Sequence, residues 1–144
     1  MIEKIKHNKK LFALIVRGSY RKKKGISFFT KNSDIQQFGY MNHKKNYLIK
    51  PHIHKKQVRK IFSTSEVILI LKGVLRVDFY NNNKKYLFSK ILKEKDIIML
   101  VHGAHGFKTI KNVEMLEIKQ GPFISQRDKI KFNEIDEAKI KIKK

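Results

Sequence analysis

The sequence predicts an all-β domain built as a sandwich or a barrel. Its apolar residues fall into short segments rich in Ile, Val, Phe and Tyr, and turn residues such as Gly25, Gly73 and Asn81–Asn83 bound many of them. With 41% apolar residues and 10 Phe, the chain can build a hydrophobic core. Its 144 residues are the length of one domain, so we expect residues 1–144 to fold as a single unit.

About nine segments carry this strand pattern, and so many strands in one small domain favour a sandwich or a barrel. They are residues 11–17, 26–30, 36–42, 46–52, 66–72, 74–80, 86–92, 97–101 and 113–119. Gly73 is expected to form the tight turn between two of them. The charged C-terminal tail, residues 126–144, has isolated apolar residues, and its pattern leaves a short helix, an edge strand and a frayed end open.

Two of these strands have different predicted burial. In residues 74–80, Arg76 and Asp78 alternate with Leu75 and Val77, so we expect a half-exposed strand. In residues 66–72, a continuous apolar run follows Glu66, which is typical of a strand buried on both faces. Glu66 is therefore an unusual carboxylate, because it stands at the head of an apolar strand.

The net charge of +22 raises the question of a polyanionic partner. The 29 Lys are dispersed and accompany only 5 Arg, whereas readout of bases and phosphates favours the bidentate guanidinium of Arg. We therefore expect no specific nucleic-acid partner. The apolar run at 11–16 is too short for a signal peptide or a membrane span, which predicts a cytoplasmic protein with no membrane partner. The absence of cysteine excludes disulfides, thiolate metal ligands and cysteine nucleophiles.

The candidate functional residues are three histidines and one glutamate. His52 and His54 lie one residue apart in "PHIHKK", so on a strand their imidazoles point from the same face. Glu66 heads "EVILILKG", and His105 ends an apolar strand and turn in "IIMLVHGAH". Such a set suits a mononuclear site for Fe, Mn, Ni, Zn or Cu, with positions left for water or substrate.

Residues 39–107 resemble the cupin superfamily. The first cupin motif is a glycine, then HxH, a carboxylate, and a glycine seven positions after that carboxylate, which is Gly73 here. The second motif runs Gly-Asp, an apolar strand, a turn and a histidine; Lys95 replaces its glycine before Asp96. The resemblance implies a cupin-type β-barrel, the double-stranded β-helix or jelly roll. It also implies that a divalent transition metal is held by four ligands, which are His52, His54, Glu66 and His105.

A second resemblance is to small cupins associated with bacterial surface-polysaccharide and unusual-sugar biosynthesis. The similar segments are "EVILILKGVLRVDFY", "VEMLEIKQGPF" and "RDKIKF". The HxHK sequence at 52–55 is also similar to nucleotide-sugar ketoisomerases, in which histidine acts as acid and base without a metal. Moving a keto group between adjacent carbons needs one group to remove a proton and another to return it, and imidazole suits both.

The sequence therefore predicts a metal-binding cupin that acts on a carbohydrate or nucleotide sugar. The alternatives are a metal-free isomerase or epimerase in which His52 and His54 are the acid and base, and a non-catalytic sugar-binding cupin. Edge strands in so small a barrel need covering, which predicts a homodimer. Side chains that could contact sugar hydroxyls or a phosphate are Tyr40, Arg76, Lys119 and Gln120.

Overall fold

The computed structural model describes residues 1–124 and 128–144, and this part of the chain is all-β. Its strands are β1 (Ile2–His7), β2 (Lys10–Val16), β3 (Gly25–Phe28), β4 (Gly39–Asn42), β5 (Glu66–Lys72), β6 (Val74–Tyr80), β7 (Tyr86–Lys93), β8 (Ile97–Leu100), β9 (Ala104–Thr109) and β10 (Glu114–Lys119). A single 3-10 turn, Glu137–Lys139, is the only helical element in the described residues. Every predicted strand except 46–52 is therefore confirmed, with small changes of boundary.

The chain divides into two units, which are described separately. Residues 1–20 and 65–144 form the first unit, and residues 21–64 form the second. The first unit contains a five-stranded sheet in the order β1-β2-β8-β5-β10 and a three-stranded sheet in the order β7-β6-β9. All strand pairs in both sheets are antiparallel. That residues 1–144 make one cupin domain stays a prediction.

The core of the first unit is built from both of its sheets. Apolar side chains of β1, β2, β5 and β8 form one cluster with those of β6 and β7. The largest fully buried members of the cluster are Phe79, Ile15, Ile68, Ile70, Leu75, Leu92 and Ile98. Burial of each such side chain contributes about 1.5–3 kcal/mol. The apolar side chains of the two sheets therefore pack together as one core.

The predicted burial of β6 is wrong. Arg76 and Asp78 are buried along with the apolar face of the strand, at 4% and 3% exposure. The C-terminal segment supplies the cover, since Glu137 bonds to Arg76 and the backbone N–H of Ile135 donates to the Tyr80 hydroxyl at 3.1 Å. A strand whose outer face is polar can be buried when another segment brings partners for its charges.

The predicted burial of β5 is also wrong. Glu66, Ile68 and Ile70 are buried, whereas Val67 and Leu69 are only partly buried and Leu71 is exposed. The strand therefore buries one face, as expected of a strand in a two-layered structure with one open side. An apolar run alone cannot tell these cases apart.

The sequence missed strands β1 and β9. β1 reads "IEKIKH" and β9 reads "AHGFKT", and neither has the run of β-branched and aromatic residues that marks a strand. Both form because a neighbouring strand supplies the hydrogen bonds, β2 for β1 and β6 for β9. Tertiary pairing overrides weak propensity here.

Two turns hold the backbone in left-handed conformations. Gly73 has φ +91°, and a Cβ there would lie 1.8 Å from the carbonyl oxygen of Asn112, so only glycine fits at this connection between β5 and β6. Lys95 has φ 68° just before Asp96, at the position where the cupin motif has glycine. The conformation that the motif's glycine permits is therefore adopted here by a lysine.

The second unit contains one hairpin and a long irregular segment. β3 pairs with β4, and the rings of Phe29 and Phe38 meet edge to face beyond the pair, with centroids 5.4 Å apart. No strand follows between residues 43 and 64. Within the described residues of the whole chain, no helix is long and apolar enough to span a membrane.

Candidate functional site

Glu66 and His105 form a hydrogen-bonded pair in the first unit. Glu66 is the first residue of β5 in the five-stranded sheet, and His105 is the second residue of β9 in the three-stranded sheet. Their Oε2 and Nε2 atoms are 2.9 Å apart. Glu66 is 6% exposed, whereas the imidazole is 26% exposed. The pair thus joins the two sheets through a buried carboxylate and leaves one side of the ring open to solvent.

Strand register places these two side chains. β5 lies between β8 and β10, with Glu66 opposite Leu100 on one side and opposite Lys119 on the other. β9 pairs with β6, where His105 lies opposite the core residue Phe79. Both residues therefore sit on paired backbone, which fixes their positions more firmly than a loop would.

The environment of Glu66 favours its ionised form. The hydrogen bond from His105 lowers the pKa of Glu66 to about 2, against the opposing effect of burial. Lys129, whose Nζ lies 3.4 Å from the other carboxylate oxygen, also lowers the pKa of Glu66. Glu66 is therefore a carboxylate at neutral pH, and as such it can only accept hydrogen bonds.

This assigns different roles to the two nitrogens of His105. Since the Glu66 carboxylate can only accept, Nε2 carries the hydrogen and donates it. Nδ1 makes no hydrogen bond to any side chain or backbone group in the part of the chain that the structure describes. In the neutral ring Nδ1 holds a lone pair, so His105 presents a base whose orientation is fixed by Glu66.

Two of the predicted contact residues lie beside this pair. Lys119, opposite Glu66, has its Nζ 3.1 Å from Glu117, and this bond raises the pKa of Lys119. Gln120 accepts a hydrogen bond from the backbone N–H of Ser65 at 2.8 Å. Gln120 therefore anchors the chain just before Glu66, and the predicted contacts of Lys119 and Gln120 with a ligand stay predictions.

His52 and His54 lie in the irregular segment of the second unit. Their ring centroids are 5.3 Å apart with an interplanar angle of 80°, and both residues are exposed. The predicted strand at 46–52 is wrong, because Pro51 has no N–H to donate and no neighbouring strand pairs with the segment. The two rings are therefore close and lie edge to face, but they do not point from the same face of a strand.

The other two predicted contact residues have separate environments. Tyr40 lies in β4 of the second unit, opposite Ser27. Arg76 is buried in the first unit, where its guanidinium bonds to both Asp78 and Glu137. The geometry gives Arg76 a structural task, and a contact of either residue with a substrate stays a prediction.

The first unit by itself contains two of the four predicted metal ligands, Glu66 and His105. Within residues 1–124 and 128–144, no group of three or more His, Cys, Asp and Glu side chains is arranged to hold a metal ion. Both oxygens of Glu66 already have partners, His105 on one and Lys129 on the other. The pair supplies two donors, whereas mononuclear sites use at least three protein ligands. The metal-ligand roles of His52, His54, Glu66 and His105 stay predictions.

Lys129 is the site residue that the sequence reasoning missed. It belongs to the tail predicted at 126–144, of which Gln126 and Arg127 lie outside the described residues. The only sequence signal was its place in "RDKIKF", where nothing marks one lysine among many. Comparisons with known proteins add no further residue, because no family model, curated protein or solved structure matches the chain.

Proposed function

We propose that this protein is a small cupin in which Glu66 and His105 move a proton on a carbohydrate-like substrate. The reaction class is isomerisation or epimerisation of a keto sugar, free or linked to a nucleotide. The observation that carries the proposal is the 2.9 Å bond between Glu66 Oε2 and His105 Nε2, which leaves Nδ1 of a partly open imidazole without a protein partner in the described residues.

The chemistry follows from this bond. Isomerisation beside a carbonyl needs a base that removes the proton from the adjacent carbon and an acid that returns one to the enediol. Nδ1 of His105 takes the proton, and the imidazolium that forms is stabilised by the ionised Glu66. The same imidazolium then acts as the acid and returns a proton to a carbon of the enediol. Because the pKa of Glu66 is about 2, the carboxylate keeps its charge throughout the physiological pH range.

A second candidate is the metal-free isomerase in which His52 and His54, both in the second unit, are the acid and the base. Both imidazoles are exposed, and imidazole exchanges protons readily near neutral pH. The ring of His52 has its Nδ1 3.0 Å from the carbonyl oxygen of Lys50, which leaves its other nitrogen for a ligand. Two histidines with different neighbours can act as the acid and the base of one reaction.

The course of the chain supports the jelly-roll part of the proposal. From β5 to β10 the chain passes between the sheets four times: β5, β8 and β10 belong to the five-stranded sheet, and β6, β7 and β9 to the three-stranded one. Antiparallel strands that pass repeatedly between two packed sheets are typical of a jelly roll. Light scattering coupled to size-exclusion chromatography tests the predicted homodimer. A measured mass equal to that of one chain, 17.1 kDa, would contradict it.

Deuterium incorporation from heavy water tests the reaction. A panel of keto sugars, free and linked to nucleoside diphosphates, is incubated with the protein, and NMR follows loss of the C–H signal beside the carbonyl. We expect incorporation with at least one sugar, and a loss of about 100-fold or more in Glu66→Gln, since general-base catalysis contributes on that scale. Glu117→Gln, on the neighbouring strand, is the matched control and should keep most of the rate.

The same assay separates the metal-dependent alternative. Exchange that persists with a chelator supports the proposal. Exchange that appears only after a transition metal is added contradicts it and favours the metal-binding reading. Incorporation that is unchanged in Glu66→Gln, or absent with every sugar of the panel, also contradicts it.

A further inference from the structure

A cavity of about 220 Å³ lies in the first unit, and neither Glu66 nor His105 lines it. It is open to solvent and is lined by the turn after β1, the turn between β6 and β7 with Asn81–Asn83, and the turn between β8 and β9 with His102. Phe12, which is 4% exposed, lies between two imidazoles, with ring centroids 5.6 Å from His7 and 6.3 Å from His102. The cavity thus has an aromatic residue at its inner end and polar residues around it.

The walls of this cavity are held by tight turns. Asn8 has φ 47°, as expected of a two-residue hairpin turn, and the side-chain oxygen of Asn81 accepts from the backbone N–H groups of Asn83 and Lys85, both at 3.0 Å. Gly103 packs so closely on Phe12 that a Cβ would lie 2.4 Å from the ring. A cavity with such walls is formed before any ligand arrives, as binding sites commonly are.

The side chains around the cavity are hydrogen-bond donors without negative charge. Lys10 brings an ammonium group, His7 and His102 bring ring nitrogens, and Asn82 and Asn83 bring amides. None of the described residues that line the cavity is a carboxylate. These five side chains make no hydrogen bond with any other residue in the described part of the chain, so their donors are available to a ligand.

We propose that this cavity binds a small oxyanion, the phosphate group of a soluble compound. Donors converge from three turns, which suits a tetrahedral anion with several acceptor oxygens better than a planar carboxylate with two. Lys10 supplies positive charge and the two imidazoles supply ring N–H donors, and among the described residues no carboxylate lines the cavity to repel an anion. The proposal does not depend on the Glu66–His105 pair, because the two sites share no residue.

The chemical shifts of the His7 and His102 imidazole signals in NMR spectra report this binding. Inorganic phosphate is titrated into the full chain at constant ionic strength while the signals of His7 and His102 are followed, with His43 and His105 as references within the same molecule. We expect saturable shifts at His7 and His102 alone. Lys10→Met should weaken binding about tenfold or more, since hydrogen bonds to charged groups contribute about 1.5–3 kcal/mol.

Lys9→Met is the matched control, because Lys9 is next in the chain and does not line the cavity. It should change the affinity less than twofold, on the order expected for a surface charge. Acetate at the same ionic strength should bind at least about tenfold more weakly than phosphate, since it can satisfy fewer donors.

Four outcomes would overturn the proposal. They are shifts that rise linearly without saturation, equal weakening by Lys9→Met and Lys10→Met, equal affinity for acetate and phosphate, and a shift at His105 in place of His7 and His102. Backbone amide spectra establish that each variant folds. Asn82→Ala, on an exposed turn, is a second variant that should weaken binding without loss of a charge.

Discussion

Two glutamates of the first unit have a pKa lowered to about 2, Glu66 and Glu137, and they serve different ends. At Glu137 the main cause is the guanidinium of Arg76, which keeps its charge at all physiological pH values, and Lys108 is the next cause. At Glu66 the main cause is an imidazole, which can gain and lose a proton. A lowered pKa therefore does not by itself mark a functional site; the chemistry of the partner does.

In the Glu137 cluster every charged group is paired with an opposite charge of the cluster. Arg76 bonds to both oxygens of Asp78 at 2.8 and 3.0 Å and to both oxygens of Glu137 at 2.7 and 3.1 Å. The Ser89 hydroxyl donates to Asp78, and Lys108 donates to Glu137 at 2.7 Å. This cluster fastens the C-terminal segment over β6, whereas the Glu66–His105 pair keeps one ring nitrogen for a ligand.

The largest expected effect on stability comes from Arg76→Met. It leaves the buried carboxylate of Asp78 without its main partner, which should lower the free energy of unfolding by about 3–5 kcal/mol. Urea denaturation measures the change. The double variant Arg76→Met/Asp78→Leu should lose less than Arg76→Met alone, because it removes the stranded charge. A loss below about 1 kcal/mol in Arg76→Met would contradict the structural role given to the Glu137 cluster.

A smaller effect should appear in the pH dependence of stability. Both glutamates have a folded-state pKa near 2 and an ordinary value of 4.5, so the unfolded chain takes up protons first as the pH falls. Their contributions are therefore complete above about pH 4.5 and decline from there towards pH 2. The melting temperature, measured from roughly pH 7 down to roughly pH 3, should therefore decline below about pH 4.5.

Glu137→Gln separates the contribution of Glu137 to this pH dependence from that of Glu66. The variant lacks one of the two titrating groups, so its melting temperature should fall less steeply below about pH 4.5 than that of the wild type. Equal slopes in the two proteins would show that Glu137 does not bind its partners in solution as the structure places them.

The smallest effect is expected at Lys129. Its ion pair with Glu66 is 3.4 Å long and its side chain is about half exposed, so Lys129→Met should raise the pKa of Glu66 only slightly. Carboxyl NMR titration measures the shift, with Lys131→Met as the neighbouring control. A rise of more than about one pKa unit, 1.4 kcal/mol, would mean that Lys129 and not His105 dominates the environment of Glu66.

Strands that bury their apolar residues in the core were predictable from the sequence, and strands that depend on a neighbour were not. The bounds of β5 and β6 agree with the segments 66–72 and 74–80, because their apolar residues and Gly73 mark them locally. β1 and β9 escaped prediction because their hydrogen bonds come from β2 and β6. The burial of Arg76 could not be foreseen, because its cover comes from Glu137, far away in the sequence.

The candidate site was predictable in part. Glu66 and His105 were predicted to form one site together with His52 and His54, and the structure brings Glu66 and His105 to hydrogen-bond distance across two sheets. Their direct bond was not foreseen, because the cupin pattern has both residues facing a metal. Lys129 was not foreseen either, since its role depends on where the tail runs after β10 and not on any local pattern.

The rate of deuterium incorporation in His105→Asn, compared with His102→Asn, tests the central claim most directly. The two histidines lie three residues apart, and only His105 bonds to Glu66. The proposed role of Nδ1 predicts a loss of about 100-fold or more in His105→Asn and less than about twofold in His102→Asn. Rates that stay close to the wild-type rate in both variants would contradict it, because the base would then be neither His105 nor any group that depends on it.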